Sequence, residues 1–222
     1  MHIPDGYLSP QTAGIMYLIM VPIWLAAGKA VRSTLKVRQI PYMAMAAAFC
    51  FVIMLFNIPT PGGSTGHAVG STLIAILLGP WASVIAITIS LVIQALLFGD
   101  GGITAIGANC FNIAFVATFS GYFVYKAISI GSDIKSRRRV FAAFIGAYIG
   151  LNLAALATAF EFGIQPMLFH ASDGQPLYCP YGLNTAIPAM MIGHIFLFGW
   201  IEAIITATVF SYLVKNGMLD EG

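Results

Sequence analysis

Residues 68–78 read AVGSTLIAILL. Eleven residues at a helical rise of about 1.5 Å cover about 17 Å, roughly half of the hydrocarbon core of a bilayer. Whether this short run crosses decides the fold. Longer apolar runs surround it at residues 12–30, 42–58, 81–98, 103–125, 140–160 and 186–214. Two basic loops, 29–38 (Lys29, Arg32, Lys36, Arg38) and 126–139, lie on either side of it in the chain. If 68–78 crosses, four crossings separate these loops and both face the same side; if it does not, they face opposite sides. The positive-inside rule favours the first arrangement. The prediction is an all-α membrane protein, a polytopic bundle of seven transmembrane helices forming one domain over 1–222, with the amino terminus outside and the carboxyl terminus inside. Every Lys and Arg then lies inside, Lys215 included, while Asp5, Asp100, Glu161 and Asp173 lie outside.

Composition agrees. Hydrophobic residues make up 59% of the 222 and charged residues 8%, against about 25% charged in soluble domains. A net charge of +2 gives no case for nucleic-acid binding. Cys50 and Cys110 sit in apolar runs and Cys179 in a polar loop, so no disulfide framework is implied.

The loop before the short run reads PTPGGSTGH over 59–67. A third helix that starts deep in the membrane brings this loop with it, and irregular backbone survives at that depth only inside protein or a water-filled cavity. The loop is therefore expected to dip into the bundle from the outer side. Gly62, Gly63 and Gly66 permit close backbone approach there, and His67 ends at the mouth of the third helix.

On that same outer face the topology puts the chain start, MHIPDGYLSP. It has no basic n-region, and Pro4, Asp5 and Gly6 break any apolar run, so it does not read as a signal peptide. Met1 is expected to be retained before the bulky His2. A free α-amine beside a second-position histidine is a chelator. Amine and His2 amide nitrogen close a five-membered ring on a metal, and the same amide with His2 Nδ1 closes a six-membered one. One corner of the square stays open, and His67 is the candidate for it, since ten extended residues reach about 33 Å. Metal ligands are thus predicted at Met1, His2 and His67. Four planar nitrogens favour Ni(II) or Cu(II) over tetrahedral Zn(II), and nickel, with cobalt, is the expected cargo. Displacement of protons by the metal makes affinity fall below about pH 6 to 7.

MHIPDG at the start, GGSTGH at 62–67 and seven apolar segments resemble the substrate-binding (S) component of energy-coupling-factor nickel and cobalt transporters, the NikM/CbiM type. The resemblance covers essentially the whole chain. It implies metal ligation by the Met1 amine, the His2 amide and imidazole, and the His67 imidazole. It also implies a transmembrane coupling (T) protein and a cytoplasmic ATPase pair as partners in a prokaryotic inner membrane. The chain carries no phosphate-binding G-x-x-x-x-G-K-[ST] motif of its own, and no enzymatic activity is expected. Ala44 and Ala48 share a helical face at the small-xxx-small spacing, which in the resembled family docks the coupling protein, although Ala26 and Ala30 repeat the spacing.

The remaining polar residues have plainer readings. His170 is expected in the solvated outer loop. His194 and Glu202, eight apart in the last run, are expected to hold helices together through hydrogen bonds. Asn109 and Asn112 are read as bonding across helices or lining the site, and Asp5 as bracing the amino-terminal segment against fraying. Two rival functions are weighed. A stand-alone secondary transporter using His194 and Glu202 lacks an internal repeat. An intramembrane hydrolase built on Ser64 or Ser71 lacks an acid to orient its histidine.

Overall fold

The computed structural model describes residues 2–34, 39–59 and 65–219. Met1, Lys36, Arg38, Gly62, Gly63 and Ser64, all used in the reading above, lie outside the described residues. Among the described residues seven helical segments carry the fold: α1 Pro10–Thr34, α2 Ile40–Leu55, α3 Ser71–Leu78, α4 Pro80–Phe98, α5 Ile106–Ser129, α6 Arg137–Gly163 and α7 Leu183–Lys215. Among the described residues five of these, α1 and α4 to α7, are long and apolar enough to span a bilayer. The α2 helix, at 16 residues, and α3, at eight, are shorter.

Several boundaries differ from the hydropathy runs, for local reasons. Serine at the start of α1 caps it, the Ser9 hydroxyl accepting from Thr12 N–H at 3.0 Å with Pro10 as the first helical residue; cap hydroxyls and an N-terminal proline both suit the unpaired first turn. The second run is helical only to Leu55; Ile58–Pro59 then pairs antiparallel with Thr65–Gly66 as a two-residue ribbon. In the third run residues 68–70 are not helical, and Gly70 at φ 79° turns the chain into α3. A side chain on Gly70 would meet Phe49 at 2.8 Å. The basic loop between α5 and α6 is shorter than the run of charge implied, because Ser136 caps α6 at Arg137.

The α5 and α6 helices approach so closely that a Cβ on Gly146 would sit 2.6 Å from the Gly121 carbonyl and one on Gly150 2.6 Å from that of Ala117. Gly146 and Gly150 thus form the small-xxx-small pair that the interior uses. The alanines singled out from sequence do not serve that packing: Ala44 and Ala48 are exposed. Among the described residues π turns occur at Gln94–Phe98 in α4, Cys110–Ala117 in α5 and His194–Phe198 in α7. Such turns are rare and recur at functional sites.

Candidate metal centre

The amino-terminal segment is clamped residue by residue into one end of the bundle. Ile3, fully buried, donates its N–H to Asn109 Oδ1 at 2.8 Å, and its carbonyl accepts from Asn109 Nδ2 at 3.1 Å and from Gly102 N–H at 2.8 Å. One carboxamide on α5 therefore satisfies both backbone groups of Ile3. Asp5 accepts from the N–H groups of Ile103 at 3.1 Å and Thr104 at 2.8 Å, and from the Thr104 hydroxyl. Those bonds hold its carboxyl below the usual carboxylate range. Gly102 has to be glycine, since a Cβ there would lie 2.4 Å from Asp5 N. Farther along, Ser9 N–H donates to Gln165 Oε1 at 3.0 Å, and Tyr7 C=O accepts from Cys179 N–H at 3.1 Å.

Held this way, the His2 ring lies beside His67, with ring centroids 4.7 Å apart and planes tilted by 54°. The two residues stand 65 positions apart in sequence and come together as the reading of the loop and terminus expected. His67 is 1% exposed, and the His2 side chain 4%. His67 Nδ1 lies 3.0 Å from the Ala68 carbonyl, which makes Nδ1 the protonated nitrogen and leaves the Nε2 lone pair free. His2 Nδ1 lies 2.8 Å from Asp100 Oδ1. Both Nε2 atoms are buried without a hydrogen-bond partner.

Unsatisfied buried nitrogens are costly, and two of them on neighbouring rings are what a cation site presents before its cation arrives. Burial lowers the pKa of both rings. For His2 the Asp100 hydrogen bond works in the opposite direction, and for His67 the neighbouring His2 adds to the lowering. Neutral imidazoles are the form that binds metal. Among the described residues no trio of His, Cys, Asp and Glu gathers closely enough to hold a metal by side chains alone.

Residues 2–218 match the family described as the cobalt uptake substrate-specific transmembrane region, CbiM. The chain belongs to this family. It is 48% identical over 217 residues to a probable fused nickel transport protein, LarMN, of Lactiplantibacillus plantarum, covering 97% of this chain and 65% of that protein. The chain thus spans just under two thirds of that fused relative. A putative metal transport protein of Methanocaldococcus jannaschii is 47% identical, with 97% of this chain and 92% of that protein covered. A solved structure described as a truncated transition metal transporter superposes with a TM-score of 0.92 at 53% identity, over 97% of this chain and 99% of that one. The family model describes a transmembrane region, and the matched relatives are named as nickel or cobalt transport proteins; with five helices long and apolar enough to span a bilayer among its described residues, the chain reads as a multi-pass membrane member of that family.

Within the family frame, two residues gain roles that the sequence did not assign. Asp100 was placed only as an outer acid, yet it is the carboxylate that touches His2. The signal available was its setting: an acid within a Gly99–Gly102 turn predicted on the same face as His2. Glu202 does not meet His194. Its two oxygens accept from Val69 N–H at 2.7 Å and Gly70 N–H at 3.0 and 3.1 Å, while His194 Nδ1 bonds the Met190 carbonyl of its own helix at 2.8 Å. Asn112 does bond across helices, to Thr158 and Glu161 of α6, whereas Asn109 serves the terminal segment. His170 is exposed, as expected.

Proposed function

We propose that this chain is the substrate-specificity subunit of an ATP-driven energy-coupling-factor importer, taking Ni(II), or Co(II), from the outside of a prokaryotic inner membrane. The carrying observation is the meeting of the buried His2 and His67 rings with unpartnered Nε2 atoms. In the proposed loaded state the Met1 amine, the His2 amide nitrogen, His2 Nδ1 and His67 Nε2 form a square plane around the cation. Nδ1 then exchanges its Asp100 hydrogen bond for a metal bond, and the released carboxylate offsets charge beside the cation. Seven crossings, with α2 and α3 completing the five long spans and the metal site at the outer end, fit Lys29 and Arg32 lying toward the end of α1 far from the chain start, and the basic loop between α5 and α6 at the end of α5 opposite Asn109. Exposed Ala44 and Ala48 on α2 leave a small-residue face for a transmembrane coupling protein, which a cytoplasmic ATPase pair would drive.

One further residue added before Met1, or acetylation of its amine, tests the chelate: binding measured by titration calorimetry should be abolished, because the amine becomes an amide and His2 leaves second position. A second reading rests on the two free Nε2 atoms, which alone would pinch a cation with Asp100 orienting His2. Under that reading the extended chain keeps its nickel affinity, and retention would overturn the chelate.

A further inference from the structure

Phe198 and Glu202 stand one helical turn apart on α7, and between them they grip the backbone on both sides of His67. On the amino-terminal side the Phe198 ring rests on Gly66, where an added Cβ would be 2.4 Å from its Cε2. On the other side the Glu202 carboxylate accepts from the N–H groups of Val69 and Gly70. Those amides stand at the entrance to α3, so the carboxylate also faces the positive end of a helix. Glu202 is 1% exposed and Phe198 2%.

A carboxylate taken out of water is expensive unless fully paired, and an apolar residue of similar size packs at lower cost. Its pairing here goes wholly to backbone next to a proposed ligand. With residue 66 pinned beneath a ring and residues 69–70 tied to a carboxylate, the free torsions between them belong to His67 and Ala68. The His67 Nδ1 bond to the Ala68 carbonyl closes that last freedom.

We propose that Glu202, assisted by Phe198, is a positioning residue for the metal site: α7 sets where His67 Nε2 points. This rests on His67 being a ligand, as proposed above. Neither residue touches the cation, so each acts only through His67.

A double-mutant cycle tests this in the full-length, untagged protein. Glu202→Gln keeps the shape but turns an NH2 group toward donors, and Phe198→Ala opens the other jaw. Each should weaken nickel binding at least tenfold by calorimetry and shift the d–d absorption of the bound Ni(II). On a His67→Ala background neither should weaken binding further, an outcome that a general loss of packing would not give. Wild-type affinity in both single variants, or an undiminished effect without His67, would overturn the clamp. If Glu202→Gln does not fold, Phe198→Ala alone decides by the same cycle. A His67→Ala variant that binds nickel like the parent would overturn the ligand assignment and the clamp with it.

Discussion

Replacing Asn109 with Leu should loosen the chain start from the bundle while leaving the helices intact. The carboxamide makes two hydrogen bonds to one residue, 2.8 Å from Ile3 N–H and 3.1 Å to Ile3 C=O, at a site where Asn109 is 3% and Ile3 0% exposed. These two losses are unequal. The Ile3 carbonyl keeps Gly102 N–H at 2.8 Å, so losing one of two donors costs about 0.5–1.5 kcal/mol, the net worth of an ordinary hydrogen bond. The Ile3 N–H becomes an orphan in an apolar pocket with Leu8, Met16 and Ala108, which costs about 1–3 kcal/mol. Together, about 1.5–4.5 kcal/mol leaves the docked state, a factor of roughly 10 to 2,000 in the docking equilibrium. If docking is now favoured by less than that, the competent fraction falls and apparent nickel affinity falls with it. Amide exchange at Ile3 should accelerate by the same factor, since undocking is a local opening. Calorimetry with nickel and exchange by mass spectrometry read the two effects separately. Unchanged exchange at Ile3 would refute the reasoning, because it would mean that the carboxamide contributes nothing to holding the segment.

Asp100→Asn removes the carboxylate that His2 Nδ1 contacts in the empty site and that would lie beside the bound cation, and should weaken nickel binding several-fold by taking away that charge; calorimetry checks it. Gly146→Ala should destabilise the fold by about 1–3 kcal/mol, since its Cβ would stand 2.6 Å from backbone oxygen, while Gly28→Ala, with open space around it, should not; thermal unfolding in detergent compares them. For pH, burial lowers both imidazoles below the ordinary value of 6.5. The unfolded chain then binds more protons than the folded one between the depressed values and about 6.5, so this contribution to stability is full above about pH 6.5 and is lost as pH falls through the folded values. As pH is lowered toward 6.5, nickel affinity should therefore fall only through the protons that the amine and amide must release, and it should fall more steeply at lower pH, where the depressed rings protonate as well; titrations in buffers of different ionisation enthalpy count the protons.

Much of the site was legible because its parts are local in sequence. A second-position histidine is visible at once, and a glycine-rich loop ending in His67 before a run too short to cross announces irregular backbone at depth. Asp5 was read as a brace and is one. What could not be read were partners decided by long-range packing. Glu202 lies 132 positions from Gly70, and sequence offers no reason to prefer an amide pair there over His194, which has the same helical face. Asp100 offered no periodicity, being a lone acid in a turn. The interior glycine pair was hidden for another reason. Small residues at four-residue spacing occur on α1, α2 and α6 alike, and only the burial of Gly146 and Gly150 beside exposed Ala44 and Ala48 separates an inner seam from a bare face.

The anchors of the two histidines come from different parts of the bundle. His2 is fixed through Ile3 and Asp5 to α5 and the turn before it, through Asp100 in the turn after α4, and through Ser9 to Gln165 just past α6. His67 is fixed from α7, by Phe198 and Glu202. No backbone hydrogen bond among the described residues ties residues 65–70 directly to residues 2–9. On the proposed coordination the cation is then the bond between these two groups, and metal–nitrogen distances tolerate only about 0.2 Å of error. Shear of α7 against α4 and α5 by a few tenths of an ångström would cost the His67 bond first, since water can take that single corner, whereas the three donors of the chain start move together as one chelate. Release should accordingly proceed through an intermediate in which the chain start still holds nickel, and His67→Ala should mimic that intermediate: weaker binding, a square-planar Ni(II) spectrum preserved with water in the fourth position, and faster dissociation in stopped-flow competition with a chelator. A His67→Ala protein that loses nickel binding altogether would show instead that the plane cannot survive without its fourth nitrogen.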